Sequence, residues 1–232
     1  SHQHDRAGGV RPHWRGTLLY PASLVALFLG LQGLLGLMGV PASQQASLAA
    51  LPSVAALLIS LPWRLHRAWG EPQAWKRLGV RCSWGKLIKA LSRGVLLAAA
   101  LLLVIVVALL LGGAQSELRL TPALVLNAVV LGLGVGFAEE LLFRGWLFGE
   151  LSLLLGHRRA LYLQAVIFSL VHTRFHLPGL ELLLLLGGLA LFGVLLAEQR
   201  DGDRGVLWGA VGLHGGAVCG WFLLSQGVLD LQ

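Results

Sequence analysis

Residues 121–148 read TPALVLNAVVLGLGVGFAEELLFRGWLF. From Thr121 to Ala138 no residue is charged, which is nearly the length of helix, about 20 residues, that crosses a hydrocarbon core of about 30 Å. The run ends not on a turn signal but on two adjacent acids, Glu139 and Glu140, followed by Arg144. A charge near the bilayer centre costs at least about 2.5–3.5 kcal/mol on insertion scales, so two neighbouring carboxylates call for a cavity and partners. Glu140 and Arg144, spaced i and i+4, share a helix face and can pair. Glu139 is rotated by about 100° from Glu140 and is free to meet something else.

The rest of the chain has the same character. It is 56% hydrophobic and 12% charged, with mean hydropathy +0.75, where a soluble domain carries roughly 25% charged residues. Apolar runs at 17–39, 46–62, 88–112, 121–148, 160–177, 179–198 and 205–228 predict an all-α polytopic transmembrane bundle of about seven spans, within a range of six to eight. The second run is short and holds Pro52 and Pro62, which suits a kinked or re-entrant segment; the fourth is long enough to continue into a further helix. Residues 17–232 read as one transmembrane domain behind an N-terminal tail, 1–16. The first run is too long for a signal peptide's apolar region.

The net charge of +7 does not point to nucleic acid. Lys and Arg cluster between alternate apolar runs, as the positive-inside rule arranges them. Fifteen of the eighteen fall on one side, Arg119 and Arg174 on the other, and Arg144 lies near the inner end of the fourth span. This predicts a cytoplasmic N-terminus. The basic segment Trp63–Lys89, with Trp63, Trp69, Trp75 and Trp84, reads as interfacial, its rings at headgroup level and its cations facing anionic lipid. Cys82 and Cys219 lack metal-type spacing and do not suggest a disulfide. His2, His4 and His13 in the tail form no metal motif. Gly132, Gly134 and Gly136 permit close helix approach or a local distortion beside the glutamates.

Partners for the glutamates lie on other spans. His172 falls within the fifth, after the apolar stretch 165–171, with Phe168 four residues earlier on its face; His214 falls in the last, flanked by Gly212, Gly215 and Gly216. A carboxylate and an imidazole around a water form a general acid–base pair, and a second imidazole can stabilise an oxyanion. That set suits peptide hydrolysis without a covalent intermediate. Each residue also has a structural reading: a satisfied interhelical histidine, or a neutralised Glu–Arg pair. Buried Glu and His also build proton relays, though the chain shows no paired halves of a transporter kind. Zinc ligation by Glu and His is conceivable, but HExxH is absent. Ser169, three residues before His172, more simply makes an intrahelical hydrogen bond than a nucleophile. Asp201 and Asp203 sit in a hydrophilic loop, Glu198–Arg204, and Arg174 and His176 at a membrane boundary.

Glu139-Glu140-Leu141-Leu142-Phe143-Arg144 matches the EExxxR motif of the CAAX protease and bacteriocin-processing (CPBP or Abi) family, and Phe168 to His172 matches its FxxxH motif. His214 resembles the histidine of the third motif. The three occur in order on separate spans, and the resemblance covers about 121–228. It implies a glutamate-dependent, metal-independent intramembrane endopeptidase without a cofactor. In that scheme Glu139 and His172 activate water, Glu140 and Arg144 hold the geometry, Phe168 supports the site, and His214 helps form the oxyanion hole. Many members carry Asn or a similar polar residue four positions after that histidine; here it is Val218. The resemblance implies the bilayer and a membrane-associated protein or peptide as partners, and a bacterial inner membrane as location. The alternative it leaves is a non-catalytic protein of the same fold, acting in immunity or partner binding.

Overall fold

A computed structural model describes residues 11–230. His2, His4, Arg6 and most of the N-terminal tail lie outside the described residues.

The fold is an all-α bundle. In chain order its helices are α1 (Trp14–Leu37), α2 (Ala42–Trp69), α3 (Ala74–Arg77), α4 (Trp84–Leu111), α5 (Pro122–Glu140), α6 (Phe148–Leu155), α7 (His157–His172), α8 (Gly179–Gly202) and α9 (Trp208–Gly227). A π-helical segment, Leu141–Leu147, joins α5 to α6 as one continuous rod. Two short strands, β1 (Gln115–Ser116) and β2 (Leu229–Asp230), pair antiparallel and clip the end of the chain to the α4–α5 connection.

Among the described residues, α1, α2, α4, α5 with its continuation, and α8 are long and apolar enough to cross a membrane. The other two expected spans are α7 and α9, which also form helices. α7 has 16 residues and opens on His157, Arg158 and Arg159, and α9 carries six glycines and a histidine.

Local chemistry sets the ends. The Thr121 hydroxyl accepts from the Leu124 amide at 3.2 Å and Pro122 occupies the first turn, so α5 starts there. Gly70, with φ +66°, closes α2 in the left-handed region. α9 packs most extensively, against α4 and α5, and glycines make this possible. A Cβ on Gly94 would lie 2.0 Å from the Gly209 carbonyl oxygen; one on Gly132 would lie 2.6 Å from that of Gly215. Gly134, by contrast, faces open space. Small residues at contacts are how apolar helices associate when no hydrophobic difference from lipid drives them.

The buried core lies toward the end of the bundle that carries the basic loops. Leu61 and Leu65 of α2, Leu78, Leu141, Trp146, Phe168 of α7 and Leu207 pack there. Leu and Val on α4, α5 and α8 remain exposed, as a lipid-facing surface requires.

The structure corrects several boundaries. α2 is one 28-residue helix with both Pro52 and Pro62 inside it, not a short re-entrant piece. Trp63 and Trp69 therefore belong to α2, and the interhelical segment begins only at Gly70. α7 ends at His172, where Thr173 turns to extended backbone, so His172 is terminal rather than mid-helix. Arg174 and His176 lie in the following turn. α8 continues to Gly202, making Glu198–Gly202 helical rather than loop. Ser169 donates across to the Leu186 carbonyl of α8 at 2.6 Å instead of bonding within its helix. Cys82 and Cys219 are free.

Candidate active site

α5, the π segment, α7 and α9 bring every expected residue to one place. Glu140 and Arg144 are both wholly buried, and Arg144 Nη1 donates to Glu140 Oε1 at 2.9 Å. The same oxygen accepts from His214 Nδ1 at 2.6 Å. The Arg144 guanidinium lies 4.1 Å from the centre of the Phe168 ring, so Phe168 covers the cation's face. The buried charge pair is thus closed on one side by an aromatic ring and on another by imidazole.

Glu139 points the other way, into a less enclosed space, its side chain 31% exposed. His172 Nε2 lies 2.9 Å and His214 Nε2 3.5 Å from Glu139 Oε2. The tautomers follow from the neighbours. His172 Nδ1 meets the Phe168 carbonyl at 2.8 Å, and a carbonyl only accepts, so Nδ1 carries a hydrogen. One proton is then shared between Nε2 and the Glu139 carboxyl. His214 donates through Nδ1 to Glu140, leaving Nε2 turned toward Glu139. Phe168, one turn before His172, packs against it at 4.2 Å between ring centres and edge-on to His214 at 5.9 Å.

The two carboxylates therefore have different surroundings although they are sequence neighbours. Glu140 is wholly buried and its Oε1 takes both hydrogen bonds; Glu139 is partly open and touches two imidazoles. The π segment follows both glutamates immediately. Residues 143–148 are all buried, enclosed by α2, Leu78, α7 and α8, which a regular helix with one outward face would not allow. Arg200 of α8 donates to the carbonyl oxygens of Arg144, Arg77 and Gly205, fixing the rod where its hydrogen-bond register changes.

Val218, one turn beyond His214, is half-buried and brings no polar group. Among the described residues no set of three or more His, Cys, Asp and Glu is arranged to hold a metal ion; the imidazole nitrogens of His172 and His214 meet carboxylate or carbonyl oxygens instead.

Sequence reasoning missed a second buried acid. Glu150 of α6 is wholly buried and accepts from Thr17 Oγ1 at 2.7 Å, Trp69 Nε1 at 2.8 Å and Trp146 Nε1 at 2.7 Å, and it pairs with Arg64. It ties α1 and α2 to the rod. The signal was available: Trp146 and Glu150 are spaced i and i+4, like Glu140 and Arg144.

No curated protein and no solved structure matches the chain. The family model for type II CAAX prenyl endopeptidase Rce1-like proteins matches residues 121–219. That segment holds Glu139, Glu140, Arg144, Phe168, His172 and His214 together. The chain is an integral membrane helical bundle whose residues 121–219 are similar to the Rce1-like CAAX prenyl endopeptidase family.

Proposed function

We propose that the protein is an intramembrane endopeptidase in which Glu139 and His172 activate a water molecule. The observation that carries this reading is the contrast between the carboxylates: Glu139 is accessible and hydrogen-bonded to an imidazole, while Glu140 is sealed against Arg144 and His214. With Glu139 ionised, water gives a proton to its carboxylate as the oxygen attacks the substrate carbonyl carbon. His214 turns Nε2 toward the developing oxyanion, which it stabilises by donating a hydrogen bond, while Nδ1 keeps its hydrogen bond to Glu140. The C–N bond then breaks and the proton held by the Glu139–His172 pair passes to the leaving amine. Glu140, Arg144 and Phe168 keep His214 and the rod in register and take no proton. Neither metal nor cofactor enters these steps. The substrate is a membrane-associated protein or peptide, and the basic loops orient the N-terminus toward the cytoplasm of a bacterial inner membrane.

Val218 supports a second reading, a non-catalytic protein of this fold acting by partner binding, because it withholds a polar group one turn from His214. Quantitative comparison of protein termini in membranes holding wild type, Glu139→Ala or His172→Ala at matched folded levels separates the two. New termini made only by wild type support the protease; identical termini in all three support binding.

A further inference from the structure

At the basic end of the bundle a groove opens between the segment 71–93 and residues 200–206, the end of α8 and the turn after it. It consists of two adjoining cavities, of about 670 and 360 Å³, that share Lys86, Arg204 and Val206. Its lining includes Lys76, Arg81, Lys86, Lys89 and Arg204, none of which forms a salt bridge with another described residue. Of the acids in its wall, Asp203 is paired with Arg93 and accepts from Gln199, and one oxygen of Glu71 accepts from the Gln73 amide. Five uncommitted cations thus converge on one concavity.

The groove is built rather than left between loose loops. The Leu207 amide donates to the Gly79 carbonyl at 3.0 Å, Trp208 Nε1 to that of Val80 at 2.9 Å, and Arg200 Nη2 to that of Arg77 at 3.2 Å. A Cβ on Gly79 would lie 1.9 Å from the Gly205 carbonyl oxygen, so the two walls meet backbone to backbone. Arg204 itself stands at φ +55°, alone among the described non-glycine residues in having a positive φ. A glycine would suit that backbone better, and the chain keeps an arginine there.

Depth identifies the anion. On α4, Lys86, Lys89 and Arg93 recur on one face, and no charge follows from Gly94 to Leu111. Trp84 and Ile88, on another face of the same turns, are exposed. The groove therefore opens where apolar span gives way to charge, the level of lipid phosphates. We propose that it binds the phosphate of one anionic phospholipid headgroup. This does not depend on the protease reading.

The test uses the full chain in neutral detergent, with lipid binding followed by native mass spectrometry. The probes are phosphatidylglycerol and phosphatidylcholine of matched acyl length, and inorganic phosphate as competitor. Arg204→Gly removes a cation while easing the backbone, so it folds at least as well as wild type. It is expected to weaken phosphatidylglycerol binding about fivefold, the usual contribution of one cation at an anionic surface. Lys76→Gln/Arg81→Gln/Arg204→Gly is expected to erase the preference over phosphatidylcholine. Arg67→Gln/Arg158→Gln/Arg159→Gln, the same charge removed elsewhere at this end, is expected to keep it. Equal losses in the two triple variants, or no preference in wild type, would overturn the proposal. Wild type that answers to inorganic phosphate but not to phosphatidylglycerol would overturn the assignment to lipid.

Discussion

Gly136→Ala tests how the bundle holds the site. A Cβ there would lie 2.7 Å from Cα of Gly215, whereas carbon atoms sit comfortably at about 3.5–4.0 Å. α5 and α9 must then part by about 1 Å, because the obstructing atoms are backbone and cannot rotate away. The His214 Nδ1 bond to Glu140, 2.6 Å in the native packing, would stretch beyond hydrogen-bond range. Overpacking of this kind costs about 1–3 kcal/mol of stability. A displacement near 1 Å at a catalytic group costs about a hundredfold in rate. Gly134→Ala is the matched control, since its Cβ meets nothing within 4 Å. It should be neutral, or more stable by up to about 1 kcal/mol from helix propensity. Unfolding in detergent micelles and counting of product termini in membranes read both effects. Equal behaviour of the two alanine variants would refute the close α5–α9 packing and with it the placement of His214.

Other residues give sharper or simpler expectations. Arg144→Met leaves Glu140 buried without its cation and should destabilise by about 3–5 kcal/mol, read by denaturant unfolding; Arg144→Met/Glu140→Leu should recover most of that stability. Glu150→Ala strips the hydrogen-bond acceptor from Thr17, Trp69 and Trp146 and frees Arg64, so α1 and α2 should become sensitive to limited proteolysis while residues 121–227 stay protected. Chelators should leave the production of termini unchanged, whereas a loss restored by zinc would require a metal mechanism.

The bundle was legible in the sequence because bilayer crossing is a length and polarity requirement, and among the described residues five of the seven apolar runs met it as helices, while those of α7 and α9 formed helices without meeting it. The candidate site was legible because intramembrane Glu, Arg and His are costly enough to announce themselves, and the side chains of Glu139, Glu140, Arg144, His172 and His214 do come together. What the sequence concealed is set by packing. Pro52 and Pro62 suited a kinked or re-entrant segment, and both lie inside one helix from Ala42 to Trp69, which excludes the short re-entrant form. The end of α7 at His172 carries no proline or glycine signal until Pro178, so a span running to 177 was expected. The π segment has no composition of its own; it coincides with residues 143–148 being buried on every side by neighbours distant in sequence. Gly132, Gly134 and Gly136 look alike in the chain, yet Gly132 and Gly136 meet α9 and Gly134 faces outward, as a helical turn dictates.

The most direct measurement is Glu139→Gln, which keeps the side chain's size and removes its capacity to take a proton. The variant and wild type are compared at equal folded amounts for the protein termini each generates in its membrane. Loss of a general base costs about 10²–10⁴-fold, so the account predicts that termini made by wild type fall to near background in the variant. Undiminished termini from a folded Glu139→Gln protein would contradict the role of this carboxylate.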